Sequence, residues 1–525
     1  MPLSQSARKI KLLDISKAKQ YLTLGLFLFL CAAARAADSS TIVVCDDVAD
    51  PMTMDPHKQF SEKNHTIIQQ IYEGIVRFTP DGKIEPALAT SWKRLSPTEM
   101  QFYLRPDVKF HNGEPFDAET VKFSIERYLN PETEFPAVGF INTFDHVVVV
   151  DSHTVNIVTK YPDGLLLNRL AGFIVMVPPK YFRENGANAL NEHPVGTGPF
   201  IFEKWEKGRK ISLVINKDYW MKGYPKVGKL VFKFIPADQQ MDLFLRGEID
   251  ILTNLPGTRT LDVEKNPDTY VVKKPSFYTI AGSFNTCRGP LSNRNIRKAL
   301  NIAINKSDLI RYDVLGNGIA LGTLTLPGEF GHNSDIMPYQ YDLDEAKRIM
   351  KKEGYGEGFK LKVFLKANVA RTGNIIFKQL ERIGIKVNAT LVTDAELLEF
   401  LKDRNQWDIL MADCPDPMCS AFFIPAAFLY SKSPFSLCNN KAVDEDLETL
   451  VGITKIEDQE SMFRKLDKKI YDEALCLFTY QRIRTYGMRK IIKFEPYVSG
   501  MHYFYSAFVK TEEQTTNDKT FHQSY

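Results

Sequence analysis

Segments with the patterns of strands and helices alternate along the whole of this chain. Residues 154–158 alternate in polarity like a half-buried strand. Residues 238–246 have the pattern of a short helix closed by Gly247, and 249–252 follow as a strand. A predicted leader leaves about 489 residues, and one hydrophobic core rarely serves more than about 250–300, so two or three lobes are expected. The sequence therefore predicts a mixed α/β protein with more than one lobe.

Several helix starts are marked by residues whose side chains cap exposed backbone N–H groups. We predict such starts at Asp117, at Ser292 or Asn293, at Asp342 and at Thr393. Glu345 and Glu396 follow the last two caps by three residues, which is the spacing of a capping box. The helix after Asp117 should bury Val121, Ile125, Tyr128 and Leu129 and end at Asn130-Pro131.

The first 36 residues predict a secretory signal peptide. Basic residues precede an apolar stretch over 21–30, and Ala34-Arg35-Ala36 has the small-x-small pattern of a cleavage site. Ten apolar residues are too few for a transmembrane helix, which needs about twenty. Cys31 follows Leu30 rather than a small residue, which argues against a lipid anchor. We expect cleavage near Ala36 and export to a Gram-negative periplasm.

Charge and motifs exclude several function classes. Without residues 1–36, 61 Lys+Arg face 63 Asp+Glu, so no basic field predicts a nucleic-acid or membrane partner. No Gly-x-Ser-x-Gly or His-Glu-x-x-His occurs, and the nine histidines form no ligand cluster. We therefore predict no catalytic residues, no metal and no cofactor. A secreted hydrolase is the alternative from another class.

Three blocks with long spacings carry a family resemblance. They are VKFHNGEPFDAETV at 108–121, PVGTGPF at 194–200, and FNT at 284–286 followed by PLSNRNIRKAL at 290–300. Together they resemble the solute-binding proteins of peptide-type ABC importers, the oligopeptide, dipeptide and nickel-binding family. The resemblance implies a two-lobed periplasmic-binding-protein fold of the class II type, with an extra inserted subdomain and a hinge that closes around ligand.

The resemblance also implies how the lobes divide the chain. The first main lobe would combine 37–80, 196–286 and 488–512, and an inserted subdomain would span 81–195. The second main lobe would span 287–487, and 513–525 would form a flexible tail. The chain would cross between the main lobes near 283–286 and near 486–490. The glycines of 196–199 should form a tight turn with φ > 0 rather than a phosphate loop.

Asp413 is the leading candidate for ligand binding. Residues 409–411 have the pattern of a buried strand, and Asp413 should lie just past its carboxyl end, where open α/β sheets bind ligands. In peptide-binding relatives a matching segment, which begins with a tryptophan at Trp407, supplies an aspartate for the ligand's α-amino group. A carboxylate suits that task because charge-assisted hydrogen bonds are strong. A turn aspartate before Pro415 is the structural alternative.

Other candidates come from the same resemblance. Arg371 lies thirteen residues before Gly384, where dipeptide-binding relatives place an arginine that clamps the ligand's carboxylate. A solvated arginine at a helix start is the alternative. Phe60 and Ser61 lie before a helix that should start at Glu62 or Asn64, in a region that lines the site in relatives. His57 could be a metal or haem ligand in a nickel- or haem-binding member, but a solvated loop histidine is the commoner case.

Cysteine pairing stays open in the sequence. Six cysteines follow the leader, which permits disulfides in an oxidising compartment with 15 full connectivities. Dipeptide-binding relatives have a cysteine where Cys438 falls, although its partner there does not coincide with Cys419. We favour a bridge from the Cys414 or Cys419 segment to Cys438.

The function that the resemblance implies is capture of short peptides for an ABC permease and its ATPase, by a monomeric receptor. The alternative on the same fold is another solute: a nickel complex, haem, an opine, glutathione or a sugar. A receptor that only senses its ligand is a third hypothesis, which the presence or absence of a neighbouring permease gene would decide.

Overall fold

The computed structural model describes residues 40–45, 50–393, 396, 399, 402–437 and 440–511. The predicted leader and the polar tail lie outside these residues. The helices, in chain order, are α1 Glu62–Ile71, α2 Ala118–Leu129, α3 Leu166–Phe173, α4 Pro179–Asn185, α5 Ala189–Glu192, α6 Ala237–Leu245, α7 Thr260–Lys265, α8 Arg294–Ile302, α9 Lys306–Val314, α10 Leu343–Lys352, α11 Ala370–Leu380, α12 Phe423–Leu429, α13 Lys441–Gly452 and α14 Ile456–Asp472.

The strands belong to one large sheet and three small ones. In chain order they are β1 Thr41–Cys45, β2 Val76–Phe78, β3 Ile84–Pro86, β4 Ala89–Ser96, β5 Glu99–Leu104, β6 Phe144–Asp151, β7 Thr154–Thr159, β8 Phe200–Glu206, β9 Lys210–Ile215, β10 Lys229–Lys233, β11 Ile251–Leu252, β12 Thr269–Phe284, β13 Gly318–Ala320, β14 Lys360–Lys366, β15 Lys386–Val392, β16 Ile409–Pro415, β17 Cys476–Arg489, β18 Ile492–Lys493 and β19 Phe508–Val509.

The large sheet connects both lobes of the molecule. Its order is β15-β14-β16-β12-β17-β11-β1-β10-β9-β8, with β13 on β17. At one end β14 runs parallel to both β15 and β16, and at the other β1 runs parallel to β10 and β11. The long strands β12 and β17 pair antiparallel in the middle. The fold is a mixed α/β, two-lobed periplasmic-binding-protein fold, as predicted.

A separate four-stranded antiparallel sheet, β4-β5-β7-β6, lies between β3 and β8 in the chain. Helix α2 packs on this region. Asp117 caps the helix with a capping box, Asn130 ends it, and Val121, Ile125 and Tyr128 are buried. The predicted helix and the predicted strand over 154–158 are both confirmed.

Other local predictions are also confirmed. Asn293 caps α8, whose inward residues include Ile296 and Leu300, and Asp342 caps α10 by accepting from the Glu345 backbone N–H. The strand predicted at 249–252 is shorter than expected, since β11 covers only Ile251–Leu252. Glu396 does accept hydrogen bonds from Thr393, but the helix predicted there falls on residues outside those described.

The turn at 196–199 needs glycine for a different reason from the one predicted. Neither Gly196 nor Gly198 has a positive φ. Instead, a Cβ on Gly196 would lie 1.9 Å from the Ile71 carbonyl oxygen, and one on Gly198 would lie 2.5 Å from that of Gln70. The glycines therefore allow two backbone segments to approach closely.

The favoured disulfide is wrong. Cys414 and Cys419 are buried thiols outside any disulfide, whereas Cys287 is disulfide-bonded. Cys438 lies outside the described residues. Burial among apolar side chains raises the pKa of both the Cys414 and the Cys419 thiol, because their charged forms are poorly solvated there.

Candidate ligand-binding site

The candidate site lies beside an irregularity in the pairing of β12 and β17, the two long strands in the middle of the large sheet. The ladder between these strands is interrupted between Pro275 and Thr279, opposite Gln481 to Ile483. Proline lacks a backbone N–H, so a regular antiparallel ladder is not maintained at Pro275. The residues beside this irregularity, on β12, β14, β16 and β17, form the polar group described next.

Asp413 is at the centre of this group. It lies inside β16, two residues before the strand ends, rather than past the end as predicted. The Nζ of Lys366 donates to its Oδ1 at 2.7 Å, and the hydroxyl of Tyr278 donates to its Oδ2 at 3.1 Å. The side chains of Lys366 and Asp413 are 15% and 13% exposed, so the pair is mostly buried but keeps contact with solvent.

The charge of Asp413 is stabilised by its neighbours. Burial alone would raise the pKa of this carboxyl, because the charged form loses solvation. The Lys366 ammonium and hydrogen bonds from Asn368 and Tyr278 outweigh burial and hold the pKa below its ordinary value. Asp413 is therefore ionised at neutral pH, and its charge is already balanced by Lys366.

Arg482 adds a second cation next to Tyr278. Its guanidinium lies 5.7 Å from the centre of the Tyr278 ring. It also donates to the Oδ1 of Asn254 at 3.0 Å. Asn254 follows β11, which is the neighbour of β17 in the large sheet, so this hydrogen bond connects two adjacent strands near Tyr278.

The loop after Asp413 reaches the inserted region. The Asp416 carboxylate accepts from the backbone N–H groups of Met418 and Ser420, both at 2.7 Å, which fixes the loop. Asn168 of α3 donates to the Met418 carbonyl at 2.8 Å. A Cβ on Gly172 would lie 2.4 Å from the Pro417 carbonyl oxygen. Helix α3 and the loop after Asp413 are thus in direct contact.

The structure places Arg371 apart from this group. Its side chain is 70% exposed on α11, and its Nη2 donates to the Tyr312 carbonyl at 2.5 Å. The carboxylate of Asp313 lies 3.7 Å from its Nε. Both partners belong to α9, so helix packing positions this guanidinium, and no direct contact joins it to Asp413.

Phe60 and Ser61 have structural roles at the start of α1. Ser61 caps the helix by accepting from the Asn64 backbone N–H at 3.1 Å. Phe60 is half-buried, with its ring centre 4.8 Å from that of Phe173 and 5.7 Å from that of His65. These contacts do not involve the Asp413 group.

His57 and Trp407 are interior residues. His57 is fully buried and stacks on Tyr128 at 3.7 Å, so it is not the solvated loop histidine that the sequence suggested. Burial, with the nearby Arg127 charge, lowers the pKa of His57 to about 3. Trp407 is 6% exposed and packs edge-on against Phe364 at 5.6 Å. It supports β16 from within the hydrophobic core that also contains Phe364 and Leu410.

Sequence reasoning missed Lys366, Tyr278 and Arg482. Each lies on a strand whose pairing partner is distant in the chain, and Lys366 is 47 residues from Asp413. A lysine directly after the apolar residues 363–365 was a visible signal, but only the register of β14 on β16 brings it to Asp413.

A profile of the bacterial extracellular solute-binding proteins, family 5 (middle), matches residues 83–430. The chain belongs to this family. It is a family 5 solute-binding protein of the kind that serves ABC importers. Among the described residues, none of the helices is both long and apolar enough to cross a lipid bilayer. Within the same part of the chain, no three His, Cys, Asp or Glu side chains are grouped so that they would hold a metal ion.

Curated relatives of this family 5 protein bind different ligands. The glutathione-binding protein GsiB of Pectobacterium atrosepticum is 26% identical over 462 residues, which is 84% of this chain and 89% of that protein. Heme-binding protein A of Haemophilus influenzae is 26% identical over 484 residues, 84% and 87% of the two chains. The solved structure of the periplasmic binding protein DppA from Helicobacter pylori, in complex with peptide STSA, shares the fold at a TM-score of 0.78. It is 24% identical, with 91% of this chain and 100% of that chain covered.

Proposed function

We propose that this family 5 protein captures short peptides in the periplasm and delivers them to an ABC permease. The observation that carries the proposal is an ionised, mostly buried carboxylate, Asp413, beside the irregularity in the β12–β17 ladder. A charged group in a largely dry site binds an opposite charge more strongly than the same group does in water. The ligand's terminal ammonium is the group that Asp413 would bind.

The strands around Asp413 also fit a peptide ligand. Extended peptides bind sheet proteins mainly through their own backbone, with their end charges captured by fixed groups. Glutathione, which the GsiB relatives bind, is a tripeptide, and STSA is a tetrapeptide. A receptor of this kind is expected to be a monomer. Its predicted signal peptide is expected to be cleaved near Ala36.

Arg371 stands as the proposed partner of the ligand's carboxylate only if closure or ligand binding releases it from Tyr312. Arg482 is better placed for that task, because it lies beside Tyr278 and thus beside Asp413. Phe60, Ser61 and Trp407 would contribute by supporting the walls of the site rather than through charge.

Thermal unfolding with ligands tests the proposal. The protein without residues 1–36 is refolded to remove carried-over ligand and heated with di- to pentapeptides, with haem and with a nickel–histidine complex. A ligand at 100 times its Kd stabilises the native state by about 2.7 kcal/mol. We expect a peptide to produce this shift. A response to haem or nickel–histidine with silence from every peptide would refute the peptide proposal.

Variants locate the site. Asp413→Ala should remove the peptide response while the protein still unfolds cooperatively. Asp403→Ala is the matched control, because Asp403 lies in the same lobe ten residues before Asp413, outside the polar group. If Asp413→Ala binds the peptide as the wild type does, Asp413 is not in the site.

A further inference from the structure

Lys366 and Asp413 place two opposite charges side by side on the neighbouring strands β14 and β16. The Nζ to Oδ1 distance is 2.7 Å, and each side chain keeps a small exposed fraction. Tyr278 holds the other carboxylate oxygen at 3.1 Å, so the carboxylate is fixed on both sides. The ligand therefore meets a rigid pair of charges, not an isolated carboxylate.

A ligand that brings only an ammonium fits this pair poorly. Its charge would be attracted by Asp413 and repelled by Lys366 at nearly the same distance. In a site with reduced dielectric the two contributions are each large and largely cancel. An ordinary peptide amino terminus has this character, because the carbon that bears the ammonium is followed by a neutral amide.

A ligand that brings an ammonium and a carboxylate on one carbon fits well. Its ammonium can bind Asp413 while its carboxylate binds Lys366, so both charges of the protein gain a charge-assisted partner. The second cation, Arg482, lies on the Tyr278 side of the pair and favours an anionic ligand further.

We propose that Lys366 is a specificity-determining residue, which makes the site select ligands with a free α-amino acid end, as in a γ-linked glutamyl peptide. This rests on the proposed capture of short peptides and adds the chemistry of the end that is recognised. An α-linked peptide lacks that end, because its first carboxyl group is used in the peptide bond.

Two isomeric tripeptides test the inference by isothermal titration. In γ-Glu-Cys-Gly the first residue carries both its α-ammonium and its α-carboxylate. In α-Glu-Cys-Gly, which has the same composition and net charge, the carboxylate lies at the end of the side chain. We expect the wild type to bind the γ-linked isomer about tenfold or more tightly, which is the usual size of one charge-assisted hydrogen bond.

Lys366→Met keeps the length of the side chain and removes its charge, so it should abolish most of this preference. Lys362→Met is the matched control on the same strand, because Lys362 is exposed, and it should keep the preference. A γ-linked tripeptide whose α-carboxylate is converted to an amide should bind the wild type about tenfold or more weakly than the parent compound does. This last comparison needs no folded variant.

The outcomes separate the two proposals. Equal binding of both isomers by the wild type, or a preference that survives Lys366→Met, overturns the role of Lys366. The role of Lys366 is also overturned if Lys366→Met binds both isomers equally and more tightly than the wild type does. Lys366 would then only compete with the ligand's amine for Asp413. If α-linked peptides bind and the γ-linked isomer does not, this inference alone fails. If no peptide binds at all, the proposed function fails with it.

Discussion

The carboxyl groups of Glu329 and Asp416 are hydrogen-bonded neighbours in the interior of the molecule, and Asp416 follows Asp413 by three residues. Glu329 accepts from the Leu326 backbone N–H at 2.8 Å, and Asp416 holds the loop 417–420 through backbone N–H groups. Burial raises the pKa of both groups, and the neighbouring Asp416 raises that of Glu329 further. Two charges so close and so poorly solvated are unfavourable, so the pair keeps a proton at neutral pH.

Glu329→Gln should remove much of the alkaline sensitivity of the fold. The raised pKa of Glu329 means that its contribution is full below its ordinary value of 4.5 and is lost as pH rises through the folded-state pKa. Glutamine copies the protonated form, so the variant should match the wild type at pH 5 and exceed its stability at pH 9. Denaturant unfolding at pH 5, 7 and 9 measures this.

The exposed Glu357→Gln is the control for that experiment and should follow the wild type at each pH. Asp467 raises the pKa of Glu329, and the acidic pair raises the pKa of the Cys414 and Cys419 thiols; none of these residues is altered in either variant. A Glu329→Gln protein with the pH slope of the wild type would show that the pair is not protonated at neutral pH.

His65→Phe should reduce acid sensitivity. His65 is 8% exposed beside Phe60, and burial lowers its pKa from 6.5 to about 4. The unfolded chain therefore binds a proton that the folded chain does not between these values, and stability is lost as pH falls from about 6.5 to 4. The free energy of unfolding should fall by about 1.4 kcal/mol per pH unit over this range, or by about 3 kcal/mol in all.

Unfolding free energies of wild type and His65→Phe between pH 4 and 7 test this prediction. The exposed His146→Phe serves as the control, since its side chain is 53% exposed. The prediction is contradicted if His65→Phe and His146→Phe lose stability equally as the pH is lowered.

The elements that the sequence predicts well are those decided within a few residues. Asp117, Asn293 and Asp342 cap helices through backbone N–H groups two or three positions away, and such contacts need no knowledge of the fold. The lobed architecture followed from the three long-spaced blocks through the family resemblance, because alternation of elements alone does not give the order of strands in a sheet.

The candidate site was predictable only in part. Asp413 was found because it follows an apolar strand, but its partner Lys366 depends on the parallel register of β14 and β16. Arg371 was chosen by its offset from Gly384, and that offset does not decide which way the side chain leaves α11. Its exposure and its contacts with α9 result from how two helices pack, which a single sequence does not specify.

Asp55→Ala should be among the most damaging single substitutions outside the site. Arg127 donates to both carboxylate oxygens of Asp55, at 2.9 and 2.5 Å, and the side chains are 7% and 1% exposed. Removal of the acid leaves a buried guanidinium without its partner, which costs about 3–5 kcal/mol. Denaturant unfolding at neutral pH measures the loss.

The exposed pair of Glu345 and Arg348 provides the comparison. Its side chains are 36% and 64% exposed, so Glu345→Gln should cost about 0–1 kcal/mol. If both substitutions cost the same, the buried pair contributes no more than a surface pair, and water must reach Arg127 in the variant.

Gly196→Ala tests the close approach between the 196–199 turn and the end of α1. An added Cβ would lie 1.9 Å from the Ile71 carbonyl oxygen, and backbone cannot yield as a flexible side chain can. We expect the free energy of unfolding to fall by about 1–3 kcal/mol, the usual range for overpacking, or the protein to fail to fold.

Gly452→Ala at the end of α13 is the control, because its Cβ would meet nothing within 4 Å and its φ is not positive. That change should be neutral or stabilise by about 0.4–1 kcal/mol through the unfolded state. Equal unfolding midpoints for the two variants would contradict the prediction. They would mean that the 196–199 turn can move away from α1 and that the close backbone contact is not required for stability.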